Sequence, residues 1–241
     1  MTQTPSPSVD LPHVHLLCHQ ESASEAFAAA VRLYKFEDKI SYTVHNCSLS
    51  QLDPSLKFDL VVSPANSYGI LDGGFDDAIS RAWSPKDDYT ALTRHVQAEL
   101  YEHYRGYLPP GSCHLVPMPE AWKGRLRYND GQGWACRYIA LCPTMRMPSD
   151  VTWDREVVFE CIWSLLNAMV IENRKGAEIK SMLMTPLATG TGRVSEKKWA
   201  EQCILAVRHF LDAGNNREKW SSLDWPDAGR MSLEVQKTHG L

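Results

Sequence analysis

Residues 59–79 read Asp59-Leu-Val-Val-Ser-Pro-Ala-Asn66-Ser-Tyr-Gly-Ile-Leu-Asp-Gly-Gly74-Phe-Asp76-Asp-Ala-Ile79, and this is the most informative stretch of the chain. It begins as an apolar strand, passes through a polar turn and a loop with two adjacent glycines, and ends in the start of a helix. The N-terminus of a helix presents unpaired backbone N–H groups at the positive end of its dipole. The stretch therefore predicts a binding site for an anionic group, phosphate above all.

A second glycine-bearing loop lies far downstream and reads Thr185-Pro-Leu-Ala-Thr-Gly190-Thr-Gly192-Arg193. Like the first loop, it follows an apolar strand. Ligands of open α/β sheets bind beyond the carboxyl ends of the strands, so we expect the two loops to lie side by side. Two such loops predict a ligand with more than one phosphate, or with phosphate and sugars.

Strand and helix patterns alternate along the chain. Period-2 or continuous apolar runs predict strands at about 13–19, 40–45, 58–63, 113–117, 134–142 and 179–185. Helical spacing predicts helices at about 22–34, 75–82, 87–105, 153–173 and 195–211. Residues 118–133 are predicted to form a hairpin or surface loop. This alternation predicts a mostly parallel sheet with helices on both faces.

The pattern also predicts how the chain is divided. Residues 1–12 are expected to be a disordered leader, 13–212 the domain, and 213–241 a C-terminal tail. The apolar face of the helix at 153–173 would place Trp153 in the core. The polar tail is expected to be loosely held, with Trp220 and Trp225 as its candidate anchors.

Composition excludes several classes of function. A net charge of −4 over 241 residues disfavours broad nucleic-acid binding. No apolar run approaches the roughly 20 residues of a membrane span. Seven cysteines without a C-x-x-C pair argue against a disulfide framework or a zinc site. We expect an intracellular monomer of the cytoplasm or nucleus, without a secretory signal or a membrane partner.

Histidines near the first predicted strand raise the question of a metal site. His13, His15 and His19 alternate there, but no cluster of carboxylates or cysteines supports them. We therefore expect neither a metal nor a cofactor. Cys113 and Cys142 have no recognisable base partner, so thiol catalysis is not expected either.

The stretch from Asp59 to Ser80 resembles the signature of macrodomains, which are ADP-ribose-binding modules. That signature runs roughly D-x-I-V-N-A-A-N, six further residues, a glycine run and V-D-x-A-I-H. The loop at 186–193 is similar to the family's P-x-I-S/G-T-G loop. The resemblance covers about residues 13–211 and implies a three-layer α/β/α sandwich with a mixed, mostly parallel central sheet.

The resemblance implies roles for the matched positions. Asn66 would face the distal ribose, and Asp76 matches the acidic residue that serves hydrolysis in catalytic members, so these two are the candidate catalytic residues. Asn46 falls near the position that reads the adenine amino group. The implied ligand-binding residues are Asn46, Ser63, Ala65, Gly73, Gly74, Phe75, Ala188, Thr189, Gly190, Thr191, Gly192 and Arg193.

Departures from the signature leave several functions open. Ser63 replaces an Asn of the signature, Asp72 a glycine and Ser80 a frequent His. Asp76 at a helix start also suits the dipole without any chemistry, and Asn66 also suits an Asx turn. The candidate functions are hydrolysis of an ADP-ribosyl or ADP-ribose phosphate bond, non-catalytic reading of ADP-ribose or an ADP-ribosylated protein, and a Rossmann-like nucleotide enzyme of another kind.

Overall fold

A computed structural model of the chain describes residues 10–126, 134 and 136–241. Residues 1–9 of the predicted leader lie outside this part. The described strands are β1 (His13–Leu17), β2 (Tyr42–His45), β3 (Leu60–Ser63), β4 (His114–Pro117), β5 (Tyr138–Leu141) and β6 (Ser181–Met184). The described helices are α1 (Glu21–Leu33), α2 (Gly74–Trp83), α3 (Ala91–Tyr104), α4 (Val157–Arg174), α5 (Glu196–Asn215), α6 (Arg217–Trp220) and α7 (Trp225–Gln236).

The strands form one six-stranded sheet in the order β2-β1-β6-β3-β5-β4. All neighbouring pairs are parallel except β4 and β5, which are antiparallel. Helices α1, α4 and α5 pack on one face, and α2 and α3 pack on the other. The predicted three-layer α/β/α sandwich with a mixed, mostly parallel sheet is therefore confirmed.

Burial on both faces explains the continuous apolar runs of the central strands. In β3, Leu60 and Val62 belong to the core that includes α1, α4 and α5, whereas Val61 belongs to the core under α2 and α3. All three are fully buried. A strand covered on both faces keeps apolar residues at every position.

The start of α4 differs from the prediction. The helix begins at Val157, and the N–H of Asp154 donates to the carbonyl oxygen of Val151 at 2.9 Å in a turn before it. Trp153 lies in that turn with 75% of its surface exposed, so its predicted place in the core was wrong. The apolar spacing of the sequence extends to Trp153, four residues before the first residue of the helix.

Two other segments are shorter than expected or only partly described. Strand β5 begins at Tyr138 rather than at the predicted Trp134, and Ala135 lies outside the described residues. The predicted hairpin or loop at 118–133 contains a 3-10 turn at Glu120–Trp122. Its residues 127–133 lie outside the described part of the chain.

The C-terminal segment forms α6 and α7 and packs on the domain, so the expectation of a loosely held tail was wrong. Thr238 is fully buried and accepts a hydrogen bond from Gln202 Nε2 at 2.9 Å. Trp220 stacks on Trp163 of α4 with ring centroids 5.5 Å apart, whereas Trp225 is 89% exposed and anchors nothing. None of the described helices is long and apolar enough to cross a membrane.

Candidate functional site

A cavity of about 300 Å³ lies beyond the carboxyl ends of β3, β5 and β6. Both glycine loops line it, with Gly74 from the first loop and Gly190 from the second. The expectation that these loops meet is confirmed. The described lining residues are 64–66, 70, 72–76, 144–145, 148, 185–186 and 188–192.

Two hydrogen bonds to the backbone of Leu71 hold the first loop in place, and neither uses the backbone N–H groups of residues 73–75. Ser80 Oγ donates to the carbonyl oxygen of Leu71 at 2.5 Å, and the Leu71 N–H donates to Thr93 Oγ1 at 3.2 Å. Gly74 has φ +56°, a conformation that glycine adopts without a Cβ penalty. The N–H groups of residues 73–75 donate no hydrogen bond to any described residue.

The second loop is a tight turn that requires glycine at one position. The N–H of Val194 donates to the carbonyl oxygen of Ala188 at 3.1 Å, and that of Val151 donates to the carbonyl oxygen of Gly192 at 3.0 Å. A Cβ at Gly192 would lie 2.5 Å from the Ala188 oxygen, so another residue would force the turn open. Within the described chain, the N–H groups of residues 189–192 have no hydrogen-bond acceptor.

Asp76 lies in the first turn of α2 and lines the cavity with only 7% of its surface exposed. Ser63 Oγ donates to Asp76 Oδ1 at 2.6 Å. Burial raises the pKa of Asp76 to about 7; the Ser63 hydrogen bond opposes this shift and the nearby Asp72 charge adds to it. A carboxyl group with a pKa near neutrality can give or take a proton at physiological pH.

The neighbouring carboxylate, Asp77, serves a different purpose. It accepts hydrogen bonds from Arg81 Nε at 2.8 Å and from the Tyr89 hydroxyl at 2.5 Å. It is not among the described residues that line the cavity. Of the two adjacent acids at the start of α2, only Asp76 is therefore placed to act on a ligand.

Asn66 lines the cavity, but its carboxamide closes a turn of its own loop. Its Oδ1 accepts from the N–H groups of Tyr68 at 3.1 Å and Ile70 at 3.3 Å. Its Nδ2 donates to the carbonyl oxygen of Ile70 at 2.7 Å. Since a primary amide has two N–H bonds, one remains for a ligand. The Asx-turn interpretation of Asn66 and its ribose-facing role are therefore compatible.

The side chains around the cavity carry negative rather than positive charge. Asp72 is exposed at its rim, Asp76 is buried within it, and none of the described lining residues is Lys or Arg. An anion in this cavity would be held by backbone N–H groups and by the dipole of α2 rather than by an ion pair.

The structure places three of the predicted ligand-binding residues outside the lining of the cavity. Ser63 is fully buried beneath it and donates a hydrogen bond to Asp76. Asn46 is exposed after β2, which β1 separates from β6. Arg193 is exposed, with Nη1 3.9 Å from Asp150 Oδ2. The other predicted ligand-binding residues, Ala65, Gly73, Gly74, Phe75, Ala188, Thr189, Gly190, Thr191 and Gly192, line the cavity.

A third lining segment was missed by the sequence analysis. Thr144, Met145 and Pro148 follow β5 and line the cavity. The Thr144 N–H donates to the carbonyl oxygen of Ala65 at 3.1 Å, which joins this segment to the turn after β3. Its position at the carboxyl end of a central strand was the signal that could have identified it.

None of the known protein-family models matches this chain, and no curated protein matches it. Among solved structures, it is similar to a mutant of the Oceanobacillus iheyensis macrodomain with ADPR, at 15% identity and a TM-score of 0.46 over 78% of this chain and 90% of that one. The Oceanobacillus iheyensis macrodomain with ADP is 16% identical, with a TM-score of 0.46 over 76% of this chain and 86% of that one.

Proposed function

We propose that this chain binds ADP-ribose, free or attached to a protein, in the cavity between its two glycine loops. The observation that carries the proposal is that residues 73–75 and 189–192 bring two sets of unpaired backbone N–H groups to one cavity. A pyrophosphate presents two adjacent anionic groups, which suit main-chain donors on two sides. Glycine at these positions lets the backbone approach the phosphates closely.

Hydrolysis is the proposed reaction, and Asp76 is the residue proposed to carry it. Its carboxylate would take a proton from a water molecule as the water oxygen attacks the anomeric carbon of the distal ribose. The bond from that carbon to the acceptor atom would break, and the acceptor atom would gain a proton. The pKa of about 7 supports this role, because the group exchanges a proton near neutral pH. The remaining Asn66 N–H would orient the sugar.

The alternative is a reader that binds ADP-ribose without cleaving it. Two observations favour this alternative: the Asn66 carboxamide makes three hydrogen bonds within its own loop, and Ser63 holds Asp76 Oδ1. Both groups are then less free to rearrange around a reacting ribose. Binding and turnover therefore need separate experiments.

Binding is tested by calorimetry with ADP-ribose on the wild-type chain and on Gly190→Val. A Cβ at Gly190 would meet no atom within 4 Å, so the fold accommodates the substitution while the side chain occupies open space at the cavity. We expect affinity to fall at least about tenfold, the effect of losing roughly 1.4 kcal/mol. Gly229→Val in α7 is the matched control, since Gly229 is equally uncrowded and lies far from the cavity in sequence. No binding by the wild type would reject the proposal.

Turnover is tested with an ADP-ribosylated protein and with an ADP-ribose phosphate ester. Asp76→Asn removes the proton acceptor and should reduce the rate about a hundredfold or more, while ADP-ribose still binds. Asp77→Asn is the control, because Asp77 faces Arg81 and Tyr89 rather than the cavity. Binding without turnover in the wild type would identify a reader, and undiminished turnover in Asp76→Asn would remove Asp76 from the mechanism.

A further inference from the structure

The end of α3 and the start of β4 bring together a carboxylate and two histidines outside the cavity. Glu99 and His103 are four residues apart, on one face of α3, and His114 opens β4. Glu99 Oε2 lies 3.6 Å from His103 Nε2 and 3.9 Å from His114 Nε2. The three ligand atoms all lie within 4.8 Å of one another.

One of the two histidine nitrogens stands out because it is buried without a hydrogen bond to any described residue. His114 Nε2 is buried and has no hydrogen-bond partner among the described residues. The His114 ring packs against the rings of His103 and Tyr104, at centroid distances of 4.9 and 5.2 Å. A buried polar atom without a partner is rare in native structures, because its desolvation is not compensated. The neighbouring nitrogen and carboxylate show where a missing partner would lie.

The chemistry of this set is that of a metal site. Two imidazoles and one carboxylate are the ligands of open zinc sites, in which water completes the coordination. The buried Nε2 of His114, which has no hydrogen-bond partner among the described residues, would be the third donor atom.

We propose that Glu99, His103 and His114 bind one divalent transition-metal ion, for which Zn²⁺ is the best fit. Bonds of about 2.0–2.2 Å to nitrogen and oxygen imply tetrahedral edges of roughly 3.3–3.6 Å. The separations of the two histidine Nε2 atoms from Glu99 Oε2, 3.6 and 3.9 Å, are close to this range. The Glu99 and His103 side chains are 29% and 56% exposed and so have room to move. The ion would tie α3 to β4 across residues 105–113.

This site is separate from the cavity and does not depend on the proposed function. His114 pairs with Leu141 in the sheet, and Leu141 pairs on its other side with Ser63 beneath Asp76. The metal site thus lies at the same edge of the sheet as the cavity, on the outermost strand. None of its three residues lines the cavity.

The cysteine next to His114 is the main competitor for a thiophilic metal. Cys113 packs against the core formed with α1, α4 and α5, whereas Val116, two residues after His114, packs in the core with α2 and α3. Because neighbouring residues of a strand point to opposite faces, the thiol lies on the other side of β4 from the proposed ion. A site of nitrogen and oxygen ligands is therefore expected, without sulfur.

The test is titration of the metal-stripped full chain with Co²⁺ and Zn²⁺, followed by visible absorption and by calorimetry. We expect about one ion per chain and Co²⁺ ligand-field bands without thiolate charge-transfer absorption. His103→Gln and Glu99→Gln should each weaken binding at least about tenfold, since each removes one of three ligands. His103 is exposed, so that variant keeps its fold, which unfolding curves verify. His19→Gln and Cys113→Ser are controls that should bind as the wild type does.

Three outcomes would overturn the proposal. The first is absence of binding by the wild type at millimolar Co²⁺. The second is equal affinity in the wild type, His103→Gln and Glu99→Gln, which would mean that the ion binds elsewhere. The third is loss of binding in Cys113→Ser with thiolate absorption in the wild type, which would assign the ion to cysteine. Failure of ADP-ribose binding leaves these outcomes unaffected.

Discussion

Replacement of Asp76 by Asn should make the protein more stable at alkaline pH, although it removes a candidate catalytic group. The pKa of Asp76 is raised from 3.8 to about 7, chiefly by burial. Between these values the folded protein binds more protons than the unfolded chain, so the free energy of unfolding falls as pH rises from about 4 to 7. The destabilisation is complete above pH 7 and absent below pH 4.

The magnitude follows from the size of the shift. About three pKa units at 1.36 kcal/mol each correspond to about 4 kcal/mol at pH 8. Asn keeps an oxygen that can accept the hydrogen bond from Ser63 Oγ, now 2.6 Å from Asp76 Oδ1, so the substitution removes the charge with little change in shape. For a chain of this size, about 4 kcal/mol corresponds to a rise in Tm of roughly 8–16 °C.

The assay is urea unfolding of the wild type and Asp76→Asn at several pH values from 4 to 8. The difference in unfolding free energy between the two proteins isolates this group from every other titration. It should be near zero at pH 4, grow by about 1.4 kcal/mol per pH unit and level off above pH 7. Asp77→Asn is the control. Hydrogen bonds from Arg81 and Tyr89 lower the pKa of Asp77 below its ordinary value, so its charge is present throughout this range and the difference for this variant should stay constant from pH 4 to 8. For Asp76→Asn, a difference that does not vary with pH would contradict the raised pKa of Asp76.

Three further predictions concern the ligand, the histidines of the sheet and the C-terminal segment. ADP-ribose affinity, measured by calorimetry, should fall about three- to tenfold from pH 6 to 8 as Asp76 becomes charged beside the phosphates, and Asp76→Asn should abolish this dependence. Burial lowers the pKa of His15 from 6.5 to about 4, so the stability that the neutral ring contributes is present above pH 6.5 and is lost as pH falls from 6.5 towards 4. In urea unfolding at pH 4.5, His15→Gln should reduce this loss of unfolding free energy by about 1–2 kcal/mol. Equal losses in the wild type and the variant would contradict this. Val235→Ala should lower the unfolding free energy by about 1–3 kcal/mol if α7 packs as described, since Val235 is only 3% exposed; a loosely held segment would show no change.

Much of the fold follows from local patterns of residues. The apolar runs that became β3 and β6 and the glycines before α2 and α5 could be recognised within a few residues of each element. Ser195, a residue type that favours helix N-caps, comes directly before α5, and its Oγ accepts from the Lys198 N–H at 3.0 Å. The meeting of the two glycine loops also followed, because parallel strands send their carboxyl ends to one edge of the sheet.

Predictions failed where a long-range contact competes with a local preference. Trp153 continues the helical spacing of α4, yet a turn before Val157 removes it from the helix. The polar sequence after Gly214 conceals helix α7 and a turn after it. The contacts of this segment, such as the hydrogen bond between Thr238 and Gln202, are made with residues far back in the chain. Asn46 does not line the cavity, because the strand order places β1 between β2 and β6, and no local pattern encodes that order; its predicted contact with a ligand stays a prediction.

The strands, the helices α1 to α5, their alternation and the approach of the two loops to a common edge followed from the sequence alone. The chemistry at that edge depends on tertiary packing. The pKa of Asp76 depends on how deeply its carboxyl group is buried, and the approach of His114 to Glu99 depends on how α3 packs against β4. Burial and distance are properties of packing between distant segments, whereas periodicity and glycine placement are properties of neighbouring residues.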